Sequence, residues 1–472
     1  MVFSSSVFLL YFLPIFLLIY NLTGKKYKNY VILLASIFFY AWGAPRFVFV
    51  IIGSTLIDFF IVKTLYESKK ESKRKLLLFI SVLINLGLLA YFKYANFFVE
   101  NVNQVLASFG FSPMQWMHVA LPIGISFYTF QTLTYSIDIY RGVRAPLKKP
   151  TDYLLYIMSF PQMIAGPIVR FSTIADDITG RQEKVDDKLI GIYRFAIGLA
   201  KKVLIANVMA EQADIILNGS LSDLSTPAAW VGILAYTFQI YFDFSGYSDM
   251  AIGLGKMMGF HFPENFQSPY TSTSISEFWR RWHITLGGFM RDYLYIPLGG
   301  NRVSPVRLYF NLWLVFLFSG LWHGASWNFV IWGAYHGLFL ILDRLFLLKF
   351  LRKIGKIPAT ILTFFIVVIG WVIFRIENME GIWTFLGRLF AFDFSAQPEL
   401  IAGFGLVFGI AILFSFLASF KFGQSINDFI FQKNDYTVSC HFGFIIISIL
   451  LLIISISSIT SSGFNPFIYF RF

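Results

Sequence analysis

Residues 1–28 read MVFSSSVFLLYFLPIFLLIYNLTGKKYK, an apolar run of spanning length that closes on Lys25, Lys26 and Lys28. No Lys or Arg precedes the run and no small-residue cleavage site follows it. It should therefore stay in place as a first membrane helix rather than leave as a signal peptide. Positive charge in short loops marks the cytoplasmic side, which puts the three lysines inside and the N-terminus outside. Apolar runs near 29–41 and 46–62, split by Gly43 and Pro45, then return the chain to Lys69, Lys70, Lys73, Arg74 and Lys75.

The same pattern continues outward along the chain. Of 472 residues, 57% are hydrophobic and 14% are charged, against roughly 45–50% and 25% in a soluble globular domain. A soluble enzyme of this size is excluded. The run 76–91 leaves the cytoplasm, 94–120 carries no Lys or Arg, and 121–139 returns to Arg141, Arg144, Lys148 and Lys149. The short run 152–165 ends on Gly166-Pro167 and 170–188 mixes both signs, so the stretch 150–190 reads as a re-entrant hairpin. Further runs at 190–209, 229–254, 308–322, 326–348, 358–374, 400–420 and 442–460 surround one long polar stretch, 261–307.

The expected architecture is all-α, one membrane-embedded domain over 1–472 with about 11 or 12 transmembrane helices of roughly 20 residues and some short re-entrant ones. The formal charge of +12 belongs to cytoplasmic loops, so membrane lipids are expected around the chain and nucleic acid is not expected as a partner. The single Cys440 excludes an internal disulfide and a cysteine metal cluster.

Polar groups inside a bilayer are costly and mark candidate sites. His323 in GLWHGASW and His336 in GAYHG each follow an aromatic and precede a glycine, and small neighbours let a substrate or another backbone approach the imidazole. Both could equally be packing histidines. His283 lies in SEFWRRWHITL, where a helix would make Glu277 and Arg281 i,i+4 partners and set Trp279 on the face of His283. That helix reads either as an interfacial amphipathic element or as a basic aromatic site for a phosphate-bearing ligand, with Arg280 and Arg281 as its cations. Asp243 and Asp249, in YFDFSGYSDM, need partners if buried. They either fix the bundle or line a substrate path. No Gly-rich phosphate loop, Gly-x-Ser-x-Gly elbow or metal-spaced His pair occurs, and no metal site is expected.

Five ordered segments carry a family resemblance: LPIGISFYTFQTLTYSIDIYR, FPQMIAGPIVRF, YFDFSGYSDMAIGLGKMMGFHFPENFQSPY, SISEFWRRWHITLGGFMRDYLYIPLGGNR and GLWHGASWNFVIWGAYHG. They resemble the membrane-bound O-acyltransferase superfamily, in particular its bacterial alginate O-acetyltransferase branch. The likeness is dense over about 120–345 and beyond 350 reduces to hydrophobic helices. It implies an enzyme of the bacterial inner membrane that takes acetyl from cytoplasmic acetyl-CoA, a substrate rather than a bound cofactor, and delivers it to an extracytoplasmic hydroxyl. His323 matches the proposed catalytic histidine and His283 the second functional position. His336, Asp243, Asp249, Trp279, Arg280, Arg281, Trp322 and Asn328 are tunnel or donor-binding candidates.

The residues suit that chemistry on their own account. Acyl transfer from a thioester to a hydroxyl needs a base poised near neutral pH, which is a property of histidine. With no Cys or activated Ser motif beside His323, direct transfer is expected over an acyl-enzyme. A polysaccharide acceptor and an extracytoplasmic acetyltransferase or acceptor protein are the implied partners. The rival readings are a D-alanyl transferase to teichoic acid in the same superfamily, and a transporter or flippase. Absent inverted repeats argue against the last.

Overall fold

The computed structural model describes residues 1–433 and 435–466. The chain is 76% helical and has no strand among the described residues. Among the described residues an antiparallel bridge joins Phe266 to Trp282. Helix is what this composition requires, because each backbone polar group in lipid must find its partner within its own segment.

The chain divides into two compact units, residues 1–184 with 255–262, and residues 185–254 with 263–472. The first holds α1 (Leu13–Leu22), α2 (Lys28–Gly43), α3 (Val48–Glu67), α4 (Glu71–Leu89), α5 (Ala95–Ser108), α6 (Ile125–Tyr140), α7 (Pro150–Met158), α8 (Phe160–Met163) and α9 (Phe171–Gly180). A buried carboxylate knots four of them together. Asp58 on α3 accepts from Ser81 (2.5 Å) and Asn85 (3.2 Å) on α4, Ser136 on α6 (3.3 Å) and Tyr153 on α7 (2.7 Å). The 152–165 run forms two short helices, α7 and α8, broken at Ser159.

The second unit holds α10 (Val185–Ala200), α11 (Asn207–Leu217), most of α12 (Thr226–Met257), α13 (Ile275–Arg281), α14 (Ile284–Met290), α15 (Pro305–His323), α16 (Trp327–Leu342), α17 (Leu348–Ile354), α18 (Lys356–Arg375), α19 (Met379–Leu389), α20 (Phe404–Phe416), α21 (Lys421–Phe431) and α22 (Val438–Ser462). A six-residue π-turn, Lys201–Ala206, joins α10 to α11. Helices α15 and α16 form a tight hairpin. A Cβ on Gly320 would stand 2.2 Å from the Phe329 carbonyl oxygen, and one on Gly333 2.3 Å from that of Phe316. Only hydrogen fits at either place.

Among the described residues, six helical stretches have the length and hydropathy to cross a bilayer alone, and the α20–α21 pair, bent by 97°, makes a seventh if counted as one span. That is fewer than the 11 or 12 crossings expected from the apolar runs. Several runs fold as helices of 16 residues or fewer, as in α1, α2 and α6. The 32-residue α12 is long enough but carries Thr237, Gln239, Asp243, Ser245, Ser248 and Asp249, all buried against protein. A helix shielded by its neighbours has no need of uniform hydropathy.

Candidate active site

The polar stretch after α12 is built by short-range hydrogen bonds. At the start of α13 the Ser274 hydroxyl accepts from the Glu277 backbone N–H (3.1 Å), while the Glu277 carboxylate accepts from the Thr273 backbone N–H (2.8 Å) and hydroxyl (2.7 Å). This reciprocal cap fixes a seven-residue helix too short to hold itself. Arg281 completes the i,i+4 pair with Glu277 at 2.8 Å. Burial tends to raise the Glu277 carboxyl, but the Thr273 bonds and the Arg281 guanidinium outweigh it and hold the group below its ordinary value. The Ser276 N–H donates to Asp343 at 2.7 Å, tying α13 to the end of α16.

Between α13 and α14 stands His283, with φ +46° and 1% exposure. A non-glycine residue held in the left-handed region at a buried position is the kind of strain that clusters at functional sites. Its surroundings determine its tautomer. Asn265 Oδ1 accepts from the Thr285 backbone N–H (3.4 Å) and hydroxyl (2.8 Å), and its Nδ2 donates to Ser248 Oγ (3.1 Å). A backbone N–H can only donate, so the amide oxygen is the atom facing it. That same oxygen lies 3.0 Å from His283 Nδ1, which must therefore carry the proton. Nε2 is left with its lone pair, buried and with no hydrogen-bond partner among the described residues.

Aromatic rings connect this imidazole to the other two histidines of interest. The Trp322 ring lies 5.8 Å from His283 and 5.0 Å from His323, centroid to centroid. Trp332 lies 5.1 Å from His323 and 5.0 Å from His336. Trp279 closes on His336 at 5.0 Å. His323, the last residue of α15, is 7% exposed, and His336 in mid-α16 is fully buried. On α18, Gly370 gives His336 its room, since a Cβ there would stand 2.6 Å from Nε2. Histidines from the α13–α14 junction, the end of α15 and the middle of α16 thus share one aromatic cluster.

The family model of the MBOAT, membrane-bound O-acyltransferase family, matches residues 147–379, which contain all three histidines. The chain is 42% identical to a probable alginate O-acetylase of Pseudomonas putida over the full length of both, and 46% identical to that of Pseudomonas aeruginosa over 85% of this chain and 77% of the relative. It is 38% identical to the peptidoglycan O-acetyltransferase of Helicobacter pylori over 81% of this chain and 78% of the relative. The chain belongs to the membrane-bound O-acyltransferase family. It is a multi-pass membrane O-acyltransferase, and teichoic acid D-alanyltransferases are its more distant relatives.

Within this acyltransferase the remaining candidate residues fall outside the histidine cluster or at its edge. Asp243 pairs with Lys202 at 2.9 Å, both fully shielded, and Lys202 also reaches Asn207 (2.8 Å) and the Pro466 carbonyl. Asp249 is held by Arg194 (2.6 Å) and Lys201 (2.6 Å), and Arg194 forks onward to Glu264 at 2.6 Å. Asn328 accepts from Ser326 (2.6 Å) and donates to the Phe374 carbonyl (3.2 Å), pinning α16 to α18. Arg280 is exposed and bonds back to Ser276 (3.1 Å). A cavity of about 140 Å³ lies between the Arg194–Lys201–Asp249 cluster and the Ser248–Asn265 pair that supports His283.

The three histidines are conspicuous in the sequence, and the residues that hold His283 in place are not. Asn265, Ser248 and Thr285 are unremarkable polar residues in sequence, although all three lie within the family-like segments. The lysines and arginine that hold Asp243 and Asp249 come from α10 and its π-turn, a run that reads from sequence only as one more apolar helix.

Proposed function

We propose that the enzyme transfers an acetyl group from cytoplasmic acetyl-CoA to a hydroxyl on an extracytoplasmic polysaccharide, or on a partner protein that O-acetylates it. The observation that carries this reading is the Trp322 ring standing between His283 and His323, which joins two nitrogen bases in one water-poor aromatic site. His323 removes the proton from the acceptor hydroxyl as its oxygen attacks the thioester carbonyl. The tetrahedral adduct collapses, the C–S bond breaks, and the proton taken by the imidazole passes to the departing sulfur. No acyl-enzyme is needed. His283, with Nε2 bare and Nδ1–H anchored, is the second base able to relay that proton. Exclusion of water by the indoles keeps the thioester from hydrolysis.

The names of the relatives support acetyl over D-alanyl transfer. The basic turns at 25–28 and 69–75 support an N-terminus outside a bacterial inner membrane. A separate extracytoplasmic protein is needed because the reacting atoms must meet within a few ångströms, and an extended glycan has to be brought to a buried site. The deciding experiment incubates membranes with labelled acetyl-CoA and follows label into surface glycan. His323→Ala should lower transfer on the order of 10²–10⁴-fold with expression unchanged. Retained activity would reject His323 as the base, and label in no hydroxyl acceptor would reject the reaction.

A further inference from the structure

The first unit encloses a recess of about 850 Å³ between the α1–α2 turn, the loop before α7, and α9. Seven of its lining side chains are basic and three are acidic. Two of the cations are spent locally: Lys28 pairs with Glu183 at 2.6 Å and Arg144 with Asp176 at 2.9 Å. Lys25 and Lys26 on one wall, and Lys148 and Lys149 on the other, are exposed and meet no carboxylate among the described residues. Deeper in, Arg181 donates to Asn29 (2.5 Å) and lies over the Phe260 ring (4.6 Å), yet its buried Nε has no hydrogen-bond partner among the described residues. Leu147, Phe171 and Ile178 give the recess a buried apolar lining.

Four ammonium groups facing one cavity repel one another, and an unspent guanidinium N–H in a shielded place is costly. A single occupant relieves both, namely a multiply charged oxyanion on an organic body. Arg and Lys are the side chains suited to phosphate oxygens, and the volume falls in the range of roughly 300–1,000 Å³ usual for small-molecule sites. We propose that this recess binds a phosphate-bearing ligand. Its setting at the end of an apolar first helix, where basic pockets meet anionic lipid headgroups, makes a phospholipid headgroup one source. A soluble phosphoester is the other. The proposal stands apart from the acetyl transfer argued above.

The test uses the full chain with Lys25, Lys26, Lys148 and Lys149 changed to Gln. A control variant carries the same change at Lys69, Lys70, Lys73 and Lys75, which are absent from the recess lining. In one arm each protein enters nanodiscs of phosphatidylglycerol and phosphatidylcholine, and the phosphatidylglycerol retained after re-extraction is counted by mass spectrometry. In the other, equilibrium dialysis against labelled glycerol 3-phosphate at low salt gives a Kd. A loss of about tenfold in the recess variant alone supports the site, and the arm in which it appears names the source. Unchanged retention in both arms, or an equal loss in the control, overturns it.

Discussion

His283 Nδ1 lies 3.0 Å from the Asn265 side-chain oxygen, and that oxygen is orientated by Thr285 rather than by the histidine. The amide therefore imposes the tautomer. Asn265→Ala should release the imidazole to protonate on either nitrogen and lower kcat at least tenfold, within the 10²–10⁴-fold that a positioned base supplies. The KM for acetyl-CoA should hold. Asn265→Asp, which still accepts from Nδ1–H, should recover part of the rate. A loss of thermal stability with no split between kcat and KM would mean that Asn265 only packs the loop.

The Lys202–Asp243 pair tests whether buried charge here serves structure or substrate. Breaking a fully buried pair by removing one partner costs about 3–5 kcal/mol, so Asp243→Asn should lower the Tm in detergent sharply. Lys202→Met with Asp243→Leu should restore much of it, because no lone charge remains. If the double variant is stable and acetyl transfer is normal, both residues are structural. Normal stability with lost transfer would assign them to the substrate path.

Gly320→Ala drives a methyl against the Phe329 carbonyl oxygen, backbone that cannot yield as a side chain does. The α15–α16 hairpin should open and the protein lose about 1–3 kcal/mol. Gly370→Ala meets instead the His336 ring. It should displace that imidazole and leave the α15–α16 hairpin closed. Thermal unfolding of the two variants beside transfer rates separates the cases, and an unchanged Tm for Gly320→Ala would contradict the hairpin geometry.

Orientation is checked with single cysteines in a Cys440→Ser background. Ser72 lies within the 69–75 basic cluster and Ser108 ends α5, and both are exposed. An impermeant thiol reagent applied from outside should label a cysteine at 108 and not at 72. The reverse pattern would invert the protein in the membrane.

The family and the three histidines were legible because five motifs lie in one order along the chain, and because an imidazole in an apolar run is conspicuous. Helix existence followed from the runs, and the Glu277–Arg281 pair from its spacing. Window hydropathy cannot tell a helix lying in lipid from one such as α12, whose carboxylates are neutralised by α10 and the π-turn after it. Nor could spacing show that Asn265 reaches back to His283, since the link crosses an irregular turn with a left-handed residue.

The π-turn at Lys201–Ala206 has a mechanical consequence. Lys201 and Lys202 are consecutive, yet one reaches Asp249 and the other Asp243 on the same neighbouring helix, while Arg194 engages Asp249 from the preceding turns. Such a set works like a key with several teeth. A shift of α10 along α12 by one turn, about 5.4 Å, would unseat every tooth at once, leaving several buried charges bare. The two helices therefore move only as one body, and any displacement within this unit has to pass around them rather than between them.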